Sequence, residues 1–338
     1  MDTKILPVNE ASLEKAARLL RDGQVVGMPT ETVYGLAANA MDGNAVKRIF
    51  AAKGRPVDNP LIAHIDSMKM LPLVVHELPE KALRLAEKFW PGPLTMVLSR
   101  AEGVAVETSA GLDTVAVRMP ANIAARSLIC AAGFPLAAPS ANRSGSPSPT
   151  TAAHVLADME GKIPLILDGG ACPVGVESTV ITMVGEPAVL RPGFVTVQEL
   201  EEILGGPVRL HETALQPLEK GRQPASPGMK YKHYAPKAKL IVLEGSLPAF
   251  SAYVENYAQN GAWALCFEGE EGRLPVPAIP YGSVGDGESQ AKGLFAALRR
   301  LDEEGVREAY VRAPAHTGVS LAVYNRLLRA SGFQVKEV

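Results

Sequence analysis

Through its first two hundred residues the chain alternates short β-rich runs with stretches of helical period, the signature of strands crossed over by helices in a largely parallel or mixed sheet. The runs Val25 to Met28, Leu61 to Ile65, Leu94 to Leu98, Thr114 to Arg118, Leu136 to Ala138, Leu165 to Leu167, Thr179 to Met183 and Val189 to Arg191 read as strands. Between them Leu13, Ala16, Ala17 and Leu20 share one helical face, and Gly23 supplies a stop. Val46, Ile49 and Phe50 repeat that pattern behind Asp42 as a cap. Further helices are expected at Ala82 to Phe89, Ile123 to Ala131, Thr151 to Met159 and Val197 to Leu204.

The texture changes after Gly205. Pro207, Pro217, Pro224, Pro227 and Pro236 interrupt polar sequence that shows neither period, which predicts a linker over 205–237. Within it, Ser226 to Pro236 carries two tyrosines, two lysines and a histidine, more chemistry than a passive spacer needs. Beyond it, Leu240 to Leu243, Ala262 to Phe267 and Ala309 to Val311 read as strands, and Leu294, Leu298 and Leu301 mark an amphipathic helix. A chain of 338 residues, 47% hydrophobic, supports two cores, so the expectation is a domain over 1–204 and a smaller α/β domain over 238–338.

Charge and cysteine content exclude several classes. With 34 basic and 36 acidic side chains the net charge is -2, so any tRNA or other RNA contact must be weak and local. No apolar run is long enough to span a membrane, and no apolar core follows Met1 to Lys4, so the protein is expected in the cytoplasm. Cys130, Cys172 and Cys266 are widely spaced, which speaks against a disulfide framework or zinc site and for small buried thiols. There is no G-x-S-x-G elbow, no H-E-x-x-H, no G-x-x-x-x-G-K-[ST] loop and no G-x-G-x-x-G opening a helix.

What remains is a set of polar groups at strand ends, where open α/β sheets bind ligands. The run Pro29-Thr30-Glu31-Thr32-Val33-Tyr34-Gly35-Leu36 follows the first strand, with hydroxyls suited to a small polar ligand or to capping an ordinary turn into a helix. Lys53 and Arg55 pair a mobile point charge with a bidentate fork, as a phosphate chain requires, and Asn59 and His64 follow toward the same crevice. Alone, such a pair is an ordinary solvated helix end. Ser140, Asn142 and Ser148 lie in a burst of hydroxyls after the strand ending at Ala138, suited to ribose and phosphates. Thr114 and Arg118 on one strand, Ser178 and Arg191 complete the set, and inward-facing strand arginines need an anionic partner.

With these motifs in this order, the sequence resembles the threonylcarbamoyl-adenylate synthases over its whole length. The resemblance rests on Lys53-x-Arg55, Ser140-x-Asn142, the Pro29 to Leu36 segment and the Ser226 to Pro236 run. It implies a YrdC-like open twisted mixed sheet with flanking helices, plus a Rossmann-like second domain. It implies a nucleotidyltransferase that joins L-threonine, bicarbonate or CO2, and ATP into threonylcarbamoyl-AMP with release of pyrophosphate, Mg2+ accompanying the ATP. The adenylate would then pass, through other transfer proteins, to the adenosine beside the anticodon of tRNA. Carried over by position, Thr32, His64, Arg118, Ser178 and the Ala138 backbone would hold threonine. Arg55, Asn59, Thr114, Ser140, Asn142, Ser148, Arg191 and Tyr231 would hold ATP, with Lys53 and Arg55 at the chemistry and Tyr231 part of a lid. Carbamoyltransferases that mature hydrogenases share YrdC-like domains, but this chain lacks their length and clustered cysteines. An RNA-docking module is the other alternative, against which the acidic balance argues.

Overall fold

The computed structural model describes residues 2–216 and 233–338. These form two compact units. One comprises residues 2–144, Ser148–Pro173 and residues 177–216; the other comprises Gly145–Pro147, Val174–Val176 and residues 233–338.

The first unit runs β1 (Lys4–Pro7), α1 (Glu10–Arg21), β2 (Val26–Met28), β3 (Gly35–Asn39), α2 (Gly43–Lys53), β4 (Ile62–His64), α3 (Glu80–Phe89), β5 (Leu94–Ser99), α4 (Val106–Ser109), β6 (Thr114–Arg118), α5 (Ile123–Ala132), β7 (Leu136–Ala137), α6 (Ala152–Met159), β8 (Leu165–Asp168), β9 (Thr179–Thr182), β10 (Ala188–Arg191), α7 (Val197–Leu204) and β11 (Arg209–Leu210). Its described strands make one eleven-stranded sheet in the order β1-β8-β2-β3-β7-β4-β6-β5-β9-β10-β11. The sheet is mixed: β4 pairs β6 in parallel, whereas β7 opposes both β3 and β4, and β5 opposes β6.

Local chemistry sets the helix ends. Asn9 and Ser12 form a reciprocal capping box on α1, and Thr196 and Glu199 do the same on α7. Asp42 caps α2, and Gly54 ends it at φ 69°, a left-handed conformation that glycine adopts without strain.

Alternation along the strands gives the sheet two unlike faces. Ala63, Met96, Val117 and Ile181 belong to a large core with Ile49, Phe50, Leu85 and Leu200 from the helices. Between them, Ile62, Val97, Ala116, Val180 and Leu190 form a separate small apolar cluster. By the same alternation, His64, Arg118, Thr114 and Thr95 share the face of this small cluster.

The second unit contains β12 (Lys239–Glu244), α8 (Leu247–Tyr257), β13 (Trp263–Cys266), β14 (Ala278–Pro280), α9 (Gly287–Glu303), β15 (Glu308–Arg312), α10 (Ser320–Ser331) and β16 (Val335–Glu337). Its described strands form an all-parallel sheet in the order β14-β13-β15-β12-β16, with α8, α9 and α10 as crossovers and only a short 3-10 turn, Glu271–Arg273, between β13 and β14.

Two readings need correcting. Of the two open for the Pro29 to Leu36 segment, the turn into a helix falls, since the segment leads from β2 into an antiparallel strand. Within the ordered linker expected over 205–237, Arg209–Leu210 pairs with β10. Cys172 and Cys266 are buried, but Cys130 is exposed.

Candidate active site

Arg118 closes β6 and is almost wholly buried, its side chain 4% exposed. A cation there must be compensated, and three residues from two chain segments do so. Its Nη2 lies 2.5 Å from a Glu31 carboxylate oxygen, its Nη1 donates to Thr32 Oγ1 at 2.9 Å, and its Nε donates to the Gly92 carbonyl at 3.1 Å. Burial pushes the Glu31 carboxyl up, but the Arg118 charge and the Ala121 N–H outweigh it and hold the group below the ordinary glutamate value. His64 stands beside Arg118 in the parallel register of β4 and β6. Its Nδ1 donates to the Ile62 carbonyl at 3.1 Å. Burial and the Arg118 charge push His64 down to about 3, so it is neutral at physiological pH.

Thr30 shapes the loop that delivers Glu31 and Thr32. Its Oγ1 accepts from the N–H groups of Thr32 and Val33, both at 3.2 Å, and donates to the Val33 carbonyl at 2.6 Å. Because β2 ends on the opposite edge of the sheet from the Arg118 end of β6, this loop is folded back across the sheet face.

Lys53 is buried at the last position of α2. Its ammonium donates to the carbonyl oxygens of Ser140 and, at 2.8 Å, Asn142, and reaches Asn142 Oδ1 at 3.5 Å. Ser140 Oγ donates to that same Oδ1 at 2.5 Å. Three donors thus meet three acceptors, and Lys53 pins the 140–142 loop. Burial first, and then the nearby Arg55 charge, push the ammonium well below the ordinary lysine range. The left-handed Gly54 turns the chain between the two cations, so Arg55 goes elsewhere: its guanidinium lies over the Phe50 ring at 5.2 Å and donates to the Asn59 carbonyl at 3.3 Å.

Asn59 is completely buried, yet neither polar atom of its side-chain amide has a hydrogen-bond partner among the described residues. Such groups are rare and call for a ligand or water. At the opposite edge of the sheet, by the Arg118 end of β6, Ser178 Oγ shares a 2.7 Å hydrogen bond with Thr95 Oγ1 and accepts from Arg191 Nη2 at 3.2 Å, while Arg191 Nε donates to the Ser178 carbonyl at 3.1 Å. Ser148 Oγ donates to the buried Glu177 carboxylate. The Ala138 N–H is taken by the Ile62 carbonyl at 3.0 Å, so the contact expected of that backbone falls to its carbonyl. Thr114 sits four residues before Arg118 on β6, about 13 Å away along the same face. Tyr231 lies outside the described residues.

The structure therefore joins Thr32, His64 and Arg118 in one cluster, Lys53, Ser140 and Asn142 in a second, and Ser178 with Arg191 in a third. Glu31, Thr95 and Glu177 belong to these networks and were not singled out from sequence. Two of them left a signal: a lone carboxylate inside Thr30-Glu31-Thr32 and another inside Val176-Glu177-Ser178, each beside a nominated hydroxyl.

Comparison with known proteins bears directly on this arrangement. Residues 18–193 match a family model described as telomere recombination, and residues 195–332 match the C-terminal domain of threonylcarbamoyl-AMP synthase. A threonylcarbamoyl-AMP synthase of Pyrococcus abyssi is 46% identical across 98% of this chain and 97% of its own length. The chain belongs to the threonylcarbamoyl-AMP synthase family. A second member, from Bacillus subtilis, is 44% identical over 98% of this chain and 96% of its own. Among solved structures, that of P. abyssi Sua5 complexed with L-threonine superposes with a TM-score of 0.92 at 43% identity, covering 100% of this chain and 99% of that one. E. coli YciO, at 23% identity and a TM-score of 0.53 over 59% of this chain, shares the fold of the family's first domain.

Proposed function

We propose that this chain condenses L-threonine, bicarbonate or CO2, and ATP into threonylcarbamoyl-AMP and pyrophosphate. The observation that carries it is the buried Arg118 beside the Thr32 hydroxyl, on a sheet face shared with the Ser178–Arg191 pair. A buried guanidinium suits the substrate carboxylate, and a buried hydroxyl beside it suits an amino acid that carries its own hydroxyl. Asn59, whose amide has no partner among the described residues, together with Arg55, Thr114, Ser140, Ser148 and Arg191, forms the proposed ATP side.

The amine of threonine takes up CO2 to give a carbamate and releases a proton. A carbamate oxygen then bonds to the α-phosphorus, and the bond from that phosphorus to the bridging oxygen breaks, with the electron pair leaving on pyrophosphate. No covalent enzyme intermediate is required, so the protein's work is positioning and charge compensation. A magnesium ion brought in on the triphosphate would offset its charge. Neutral His64 lines the threonine side without adding a second cation to it. The 140–142 loop, held by Lys53, presents the Ser140 and Asn142 side chains. The adenylate would then pass to proteins that place the threonylcarbamoyl group on tRNA.

The deciding experiment is pyrophosphate release by the purified protein with ATP and magnesium, omitting threonine and bicarbonate in turn and weighing the nucleotide product. Release that needs both, with threonylcarbamoyl-AMP detected, is the expected result. Release with neither would reassign the site to another nucleotide reaction.

A further inference from the structure

The Arg118 guanidinium, nominated as the receptor for the substrate carboxylate, already holds a carboxylate of the protein. Glu31 is 7% exposed and meets Arg118 at 2.5 Å, and the pair is sealed between the β2–β3 loop and the end of β6. Among the described residues, the other groups facing Glu31 carry no charge that would alter this balance. His64, from β4, is neutral, and Cys172, from the segment after β8, has its thiol pushed up to about 12 by burial. Within the described residues the cluster therefore contains one cation and one anion before any substrate arrives.

We propose that Glu31 is an internal stand-in for the substrate carboxylate, which competes with the amino acid for Arg118 and so sets a low affinity for it. The inference rests on the proposed threonine reading and deepens it. When an amino-acid carboxylate enters, two anions share one buried guanidinium. Two like charges at one site cannot both remain ionised without cost, so proton uptake by one of them accompanies binding. The stand-in also has a use in the empty protein. A buried arginine without a partner is strongly destabilising, and Glu31 supplies that partner until the substrate does.

Three consequences follow for threonine binding, measured by titration calorimetry on the full-length chain. In Glu31→Gln the substrate carboxylate becomes the only neutraliser of Arg118, so L-threonine binds at least tenfold more tightly than in wild type. L-Threoninol, which has no carboxylate, gains nothing from the substitution. In wild type at pH 5.0, heats measured in two buffers of different ionisation enthalpy show net proton uptake with L-threonine. That uptake vanishes in Glu31→Gln.

The wild-type measurement stands on its own should Glu31→Gln fold poorly. Absence of proton uptake there overturns the proposal, as does a folded Glu31→Gln protein that binds threonine no better, or worse, than wild type. Equal losses for threonine and threoninol would make Glu31 a purely structural partner of Arg118 and likewise overturn it. If the wild type binds no threonine at all, the threonine reading falls as well, an outcome distinct from failure of competition alone.

Discussion

Replacing Lys53 by methionine separates two roles that a buried active-site lysine can play. Methionine has similar length and no charge, so it removes the ammonium while filling most of its space. In the structure that ammonium serves the carbonyls of Ser140 and Asn142 together with Asn142 Oδ1. Leaving two buried carbonyls without a donor costs about 1–3 kcal/mol each. Part of that is offset because a buried charge no longer has to be desolvated, so the net loss is roughly 2–4 kcal/mol. For a unit of about 200 residues this lowers the thermal midpoint by roughly 5–15 °C. Calorimetric scanning of wild type and Lys53→Met, with ATP KM measured on the same preparations, tests it. If Lys53 pins the 140–142 loop, stability and ATP KM worsen together. A variant that melts like wild type yet loses ATP binding, with a reduced salt dependence of KM, would show instead that Lys53 meets the phosphates directly and would refute the reasoning.

Asn59→Ala removes a buried amide whose polar atoms have no partner among the described residues, so the empty protein should be as stable as wild type or more so, while ATP KM rises at least tenfold; urea unfolding and kinetics check the two halves. Arg118→Lys keeps the charge but loses the planar fork that engages Gly92, Thr32 and Glu31 at once, and should raise threonine KM more than tenfold with ATP KM little changed. His64 binds its proton near pH 3 in the folded chain and near 6.5 when unfolded, so unfolding takes up a proton anywhere between. Stability should therefore fall by about 1.4 kcal/mol per pH unit as pH drops below 6, and His64→Gln should flatten that slope in urea titrations at pH 4–7.

The strands that were legible are those built from β-branched and large apolar residues. Leu94–Ser99 and Thr114–Arg118 stand out because apolar side chains face both sides of a buried strand. The strand Gly35–Asn39 was not legible, since Gly-Leu-Ala-Ala-Asn carries neither β-branching nor alternation, although it is buried almost throughout. The edge strands Lys4–Pro7 and Val335–Glu337 are short and largely exposed, so they lack the pattern of buried runs. Helix α10 failed for the opposite reason. Ser320, Ala322 through Leu328, Arg329 and Ala330 are all buried, and a helix buried all round shows no amphipathic stripe to read. The site was legible by residue type but not by partner. Inward-facing strand arginines announced that they needed an anion. That one of those anions is Glu31, already within the protein, emerges only when the loop is folded back across the sheet.

That fold-back explains why polar groups gathered from opposite edges of a mixed sheet can serve one reaction. In an all-parallel sheet every strand ends at the same edge, and a ligand sits there. Here β4 and β6 end at His64 and Arg118, whereas β7, running the other way, ends beside Ser140 at the edge where β6 begins with Thr114. The two substrates of the proposed reaction therefore need not crowd one rim. A nucleotide anchored near Thr114 and the 140–142 loop and an amino acid anchored at Arg118 would approach each other across the face between them, over the apolar floor of Ile62, Val97, Ala116, Val180 and Leu190. The separation of the two anchors, about 13 Å along β6, is fixed by four residues of extended backbone. Precision in this site thus comes from a strand, an element that neither stretches nor swings, while the loop carrying Glu31 and Thr32 supplies the groups that must accommodate a substrate.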